Sequence, residues 1–242
     1  MAGHSKWANI KHRKGAQDKK RGKLFTRCIK DIYVSVKEGG GDDISTNPRL
    51  KTAIQNAKGV NMPKDTILRA IKKASSTDSD SYIETTYEGY GPGGIAFFIE
   101  CTTDNINRTV ANIRAIFNKY NGELGKNGSL EFLFNRIGLF ELDKNMGNFS
   151  EDELEMELID GGLEEFEIIN DSYFLSTTFE NFGLMQKKLD ELKITPKNAR
   201  LERIPIETKN VSKENTTTIL SMIEKFENDD DVQEVFHSLN YI

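Results

Sequence analysis

Ten lysine and arginine side chains and one acid, Asp18, fall within residues 1–30. Cations at that density neutralise phosphates, and the release of condensed counterions drives their association with a polyanion. Trp7, His4 and His12 stand among them, flat rings that could stack on an unpaired base. The candidate nucleic-acid contacts are therefore Lys6, Trp7, Lys11, His12, Arg13, Lys14, Lys19, Lys20, Lys23, Arg27 and Lys30. The competing reading is a solvated basic tail that Trp7 anchors to the neighbouring helices.

Other chemistry finds little support. His4, His12 and His237 lack the spacing of zinc ligands. Cys28 and Cys101 form no CxxC pair and read as two reduced thiols. No G-x-S-x-G nucleophile elbow occurs. Gly89 to Gly94 (GYGPGG) formally matches a dinucleotide loop, but such a loop must open a helix, and here a strand-like run, IAFFIECT, follows. The acidic runs Glu151-Asp152-Glu153 and Asp229-Asp230-Asp231 lack calcium-loop spacing and read as a capped helix start and a solvated turn. The expectation is a protein that is not an enzyme, with no catalytic residue, metal, cofactor or evident small-molecule substrate.

Charge is divided along the chain. Residues 1–75 hold 18 basic side chains against 6 carboxylates, whereas the remainder holds 15 against 32, within a net charge of −5. That asymmetry predicts a polyanion-facing module joined to an acidic body. There is no apolar run near 18 residues and no secretory h-region, so a cytoplasmic protein without membrane contact is expected. A Lys-rich, acid-poor start leaves a mitochondrial presequence as the alternative.

The elements that must position these cations follow from periodicity. A helix is expected over 16–37, with Leu24, Phe25, Cys28, Ile29, Ile32 and Val36 on one face and Lys19, Lys20, Lys23, Arg27 and Lys30 on the other. Arg21 is a misfit on the apolar side, and Gly39-Gly40-Gly41 stops the helix. Asn47-Pro48 opens a second helix, and Asn61-Met62-Pro63 opens a third in the same manner, with Ile67, Leu68, Ile71 and Ala74 buried. A helix-turn-helix reading of this pair puts Lys58 and Asp65 where that motif wants apolar packing, which counts against it. The polar stretch 75–81 reads as a linker.

Beyond it, strands are expected at 82–89 and 94–102 around the turn Gly91-Pro92-Gly93-Gly94, then a helix at 105–120. A β-hairpin is expected at 129–142, followed by a helix from the capping box Ser150/Glu153, strands at 164–169 and 172–177, a helix at 179–191 and a strand at 199–204. That series has a ferredoxin-like order. A last helix, 212–227, and strand, 232–239, cannot bury their apolar faces alone. The expected fold is α+β: a basic all-helical domain over 1–75, a discontinuous α+β domain of 82–127 plus 207–242, and a third α+β domain, 128–206, inserted in the second.

The segments GHSKWANIKHRK, AQDKKRGKLFTR, NPRL, NMPKDTILRAI, YEGYGPGG, TDNINRT and GELGKNGS, between Gly3 and Ser129, resemble the YebC/PmpR family of probable transcriptional regulators, which includes a mitochondrial translational activator. The resemblance implies a cytoplasmic three-domain protein acting through DNA, or through RNA and the ribosome. It carries the basic motif onto Lys6, Lys11, His12, Arg13 and Lys14, continued by Lys19, Lys20, Arg21 and Lys23. Because the family pattern starts directly after Met1-Ala2, it also argues against a cleaved presequence. Two partners stay open: duplex DNA, as a transcriptional regulator, or ribosomal RNA, as a ribosome-associated translation factor. An assembly protein binding an acidic partner is a third reading.

Overall fold

The computed structural model describes residues 7, 21–76, 81–145, 149–169 and 171–240, with the side chain of Arg21 outside that set. Three helices come first: α1 (Arg21–Glu38), α2 (Pro48–Gly59) and α3 (Lys64–Ser75). Cys28, Ile32 and Val36 of α1 meet Leu50, Ala53, Ile54 and Ala57 of α2 and Ile67, Ala70 and Ala74 of α3 in one core. Asn47 ties the helix ends together. Its Oδ1 accepts from the Leu50 N–H at 2.9 Å, capping α2, while its Nδ2 donates to the Ser35 and Gly41 carbonyls at 2.8 and 2.7 Å.

Helix α3 starts differently from expectation. Its N-cap is Pro63 with no side-chain cap, and Asn61 instead occupies the left-handed region at φ 58°. Leu68 is 51% exposed rather than buried. The positions that meet α1 are Ile67, Ala70 and Ala74, and Leu68 lies one step of about 100° around the helix from Ile67.

Next come β1 (Ile83–Gly91), β2 (Ile95–Thr103), α4 (Ile106–Lys119) and the short β3 (Glu123–Leu124). Gly93 and Gly94 turn the β1–β2 hairpin at φ 70° and 71°, a conformation that costs a side-chain-bearing residue free energy. The buried Glu88 carboxylate of β1 accepts from the Gly128 N–H at 2.7 Å and from the Leu130 N–H, so the YEGYGPGG segment pins the GELGKNGS loop.

A second sheet is built from β4 (Phe134–Asp143), α5 (Glu151–Ile159), β5 (Leu163–Ile169), β6 (Ser172–Thr178), α6 (Phe182–Glu191) and β7 (Asn198–Pro205), in the spatial order β5-β6-β4-β7. This is the ferredoxin-like arrangement. The Ser150/Glu153 capping box opens α5. The hairpin expected over 129–142 is instead one 3-10 turn, Glu131–Leu133, followed by the single strand β4. Gly138 makes no turn. Thr177 and Phe182 stand 2.4 and 2.8 Å from where its Cβ would lie, so the glycine serves close packing.

The chain then returns to the first sheet. Helix α7 (Lys213–Glu227) and strand β8 (Val232–His237) follow, and β8 pairs antiparallel with β2, giving the order β3-β1-β2-β8. Phe97, Phe117, Met222 and Phe226 meet in the core between that sheet and helices α4 and α7. The helical unit and the two sheets line a half-open central cavity of about 980 Å³. Among the described residues no helix is long and apolar enough to cross a membrane.

Candidate nucleic-acid interface

The cationic side of α1 turns inward, onto the first sheet. Lys30 is buried and donates to the Thr102 and Asp230 carbonyls at 2.8 and 2.7 Å, and it pairs with Asp231 Oδ1 at 3.0 Å. Arg27 reaches the Glu227 carbonyl at 3.4 Å. Lys23 donates to the Asn228 carbonyl and lies 3.5 Å from the Asp230 carboxylate. Glu227 and Asn228 form the C-terminal end of α7, where carbonyls left without intrahelical partners attract cations.

Asp231 is the centre of this contact. The Asp229–Asp231 run expected to be a solvated turn is solvated only in part, because Asp231 is 3% exposed. Arg108 donates to it through Nε at 3.1 Å and Nη2 at 2.8 Å, and Thr109 through Oγ1 at 2.9 Å. Burial pushes the Asp231 carboxyl up, but donation from Arg108, Lys30 and Thr109 outweighs it and holds the group below its ordinary range. The TDNINRT segment supplies this cradle: Asn105 caps α4 by accepting from the Arg108 N–H at 3.0 Å, and the Thr103 hydroxyl lies 2.8 Å from that of Thr109, to which it can donate.

Helix α2 faces the second sheet. The Asn56 amide donates to the Ala199 carbonyl and accepts from its N–H, both at 2.8 Å, as a neighbouring strand would on the edge of β7. Lys51 pairs with Asp190 and Thr52 hydrogen-bonds Gln186 on α6. A Cβ on Gly59 would sit 1.9 Å from the Lys197 carbonyl oxygen, so this residue permits close approach to the second sheet rather than a helix-turn-helix bend.

With α1 and α2 engaged, α3 is the outward helix. Lys64, Arg69 and Lys72 are exposed around Leu68, and none of the three forms an ion pair among the described residues. Arg69 is steered along the helix surface by the Asp65 carbonyl at 3.2 Å.

Trp7 lies on the second sheet and is 8% exposed. Its ring meets Phe174 edge-on at 6.2 Å within a cluster that includes Leu139, and its Nε1 donates to Glu165 at 2.9 Å. The ring is thus closed to a stacking base in this conformation, and its anchor is the second sheet rather than the helices. Lys6, Lys11, His12, Arg13, Lys14, Lys19 and Lys20 lie outside the described residues.

Cys28 and Cys101 are free and buried, and burial raises both thiols, Cys28 to about 12, so neither is a reactive thiolate. The residues that local sequence patterns did not single out line the central cavity, among them Arg136, Arg203 and Gln233. Their grouping depends on strand register between distant segments.

Two family models match the chain: the TACO1/YebC protein N-terminal domain over residues 5–77, and the TACO1/YebC second and third domain over residues 82–239. A probable transcriptional regulatory protein of Amoebophilus asiaticus is 48% identical over 242 residues, covering 99% of this chain and 98% of its own. The probable transcriptional regulatory protein YrbC of Bacillus subtilis is 46% identical over 237 residues, covering 98% of each chain. The crystal structure of a conserved hypothetical protein from Aquifex aeolicus superposes with a TM-score of 0.78 at 35% identity, over 91% of this chain and 90% of that one.

Proposed function

The chain belongs to the TACO1/YebC family, and from that premise we propose that it is a regulator that binds duplex DNA through its basic helical domain. Division of charge carries the reading. Residues 1–75 hold 18 basic side chains against 6 acidic ones, and on the outward helix α3 Lys64, Arg69 and Lys72 form no ion pair among the described residues. Phosphates are the natural counterpart of such a surface. The curated relatives' names, probable transcriptional regulatory protein, agree with it.

The contact set is narrower than composition alone suggests. Lys23, Arg27 and Lys30 hold the helical domain to the first sheet, so the basic arm of residues 6–20 and the outer face of α3 remain to meet phosphates. One observation favours ribosomal RNA as the second reading. The outward face of α3 presents Lys, Arg and Leu but no Asn or Gln, the amides that read adenine in a major groove.

Fluorescence anisotropy on duplex DNA and on a structured ribosomal RNA fragment at matched salt, beside ribosome co-sedimentation, tests both. Preferential, salt-dependent binding of the duplex supports the DNA reading. Preference for the RNA and co-sedimentation support the second, and binding to neither ends both.

A further inference from the structure

The central cavity sets two pairs of like charge against each other. Arg136 of β4 stands directly opposite Arg203 of β7 in the second sheet, and Glu100 of β2 stands opposite Glu234 of β8 in the first. All four line the cavity. Like charges facing each other across strands destabilise a sheet. Arg203 is relieved by Glu100 at 2.9 Å and by Glu131 at 3.8 Å. Arg136 forms no ion pair among the described residues; its guanidinium lies over the Phe179 ring, 4.5 Å from the centroid. Arg136 is exposed to solvent, yet partial desolvation and the adjacent Arg203 both weaken its hold on its proton.

A second, independent observation lies in the same space. Gln233 of β8 is 9% exposed and lines the cavity, and its buried Nε2 has no acceptor. A buried donor left unpaired is costly, and native structures rarely keep one without a reason. The wall supplied by α1 and β1 adds the carboxylates Asp31 and Glu84, the latter already paired with Arg49 of α2. The orphaned donor is a cost to folding that binding would offset, and Arg136 adds an exposed guanidinium without an ion pair to the same space. At about 980 Å³ the cavity has the size of a small-molecule site.

These groups specify a guest. Paired guanidiniums take a phosphate, Gln233 Nε2 needs an acceptor, and Asp31 and Glu84 accept from N–H groups. A nucleotide carries all three kinds of group in one molecule. We propose that the cavity binds a free nucleotide, its phosphate on Arg136 and Arg203, an acceptor on Gln233, and the N–H groups of its base toward Asp31 and Glu84. This site is separate from the outward face of α3 and stands whether or not that face binds nucleic acid.

The test is calorimetric titration of the full-length chain with the four nucleoside 5′-monophosphates and with inorganic phosphate, at fixed ionic strength. At least one nucleotide is expected to bind once per chain with a dissociation constant below about 1 mM, and phosphate alone about tenfold or more weakly. Arg136→Gln and Gln233→Leu should each weaken the nucleotide about tenfold, and Arg136→Lys should not restore full affinity because the planar fork is lost. The triple change of Lys64, Arg69 and Lys72 to Ala should bind the nucleotide as the parent does. Without ligand, Arg136→Gln should melt no earlier than the parent, because it removes a like-charge pair. No binding by any nucleotide, unaltered binding by the two cavity variants, or a destabilised Arg136→Gln protein would each overturn the proposal. So would binding of short single strands with mononucleotides silent.

Discussion

Lys30 and Asp231, 201 residues apart in sequence, form a buried ion pair at 3.0 Å that fastens the helical domain to the first sheet. Removing one partner of such a pair leaves a buried charge behind. Asp231→Asn should therefore cost about 3–5 kcal/mol in urea unfolding. Lys30→Met should cost less, because Asp231 keeps Arg108 and Thr109. Combining the two changes should recover part of the loss. Equal costs for the two single changes, summing in the double, would contradict a shared network.

Asp31 gives a pH dependence of definite sign. Burial, then the neighbouring Glu234 and Glu84, push its carboxyl up to about 7. The folded state thus holds a proton that the unfolded chain releases near pH 4. This favours folding below that pH, and the advantage is lost as pH rises toward 7. Asp31→Asn, uncharged at every pH, should gain on the parent across the same window, by up to about 4 kcal/mol at pH 8 and little at pH 4. A pH-independent difference between the two proteins would show that Asp31 titrates normally.

Trp7 separates an anchor from a stacking platform. Its buried ring and its bond to Glu165 make Trp7→Ala a core truncation, expected to cost about 3–5 kcal/mol. Nucleic-acid affinity should then weaken alike on duplex and looped RNA. A loss confined to looped RNA, with stability unchanged, would mean that the ring leaves the sheet to stack.

Salt dependence tests the division of the cations. Changing Lys64, Arg69 and Lys72 together to Ala should lower the log–log salt slope on duplex DNA by about 2–3. Stability should stay within about half a kcal/mol, since none of the three is buried. An unchanged slope would remove α3 from the interface and leave the arm alone.

The tail supplies a topological prediction. Deleting residues 207–242 removes Ile219, Met222, Phe226 and Val235 from the core that holds Phe97, Ile113 and Phe117. The shortened chain should aggregate, or should lose the cooperative unfolding of the first sheet while the second remains folded. A soluble, cooperatively folding truncation would make the last helix and strand an appendage.

Local signals are legible in the sequence. The Asn47 cap, the Ser150/Glu153 box and the glycine turn at Gly93-Gly94 each operate within a few residues, and each stands where patterning put it. The ferredoxin-like order was equally plain, because alternation and helical periodicity are local. What escaped was long-range. The cations of α1 looked solvated because their acceptors lie about 200 residues away at the end of α7. Alternation over 129–142 suggested a hairpin because sequence does not reveal that Thr177 and Phe182 will crowd Gly138 inside a single strand. The facing arginines Arg136 and Arg203 emerge only once β4 and β7 are in register.

The amide of Asn56 has one more consequence. Strand β7 is the rim of its sheet, and an unpaired rim invites strands of other chains to add to it. By occupying both backbone groups of Ala199, Asn56 makes the helical domain a stopper on that rim. Gly59, placed against Lys197, lets the stopper sit close. Any event that pulled the helical domain away would uncover the rim, so self-association into fibrils or clumps would report the separation.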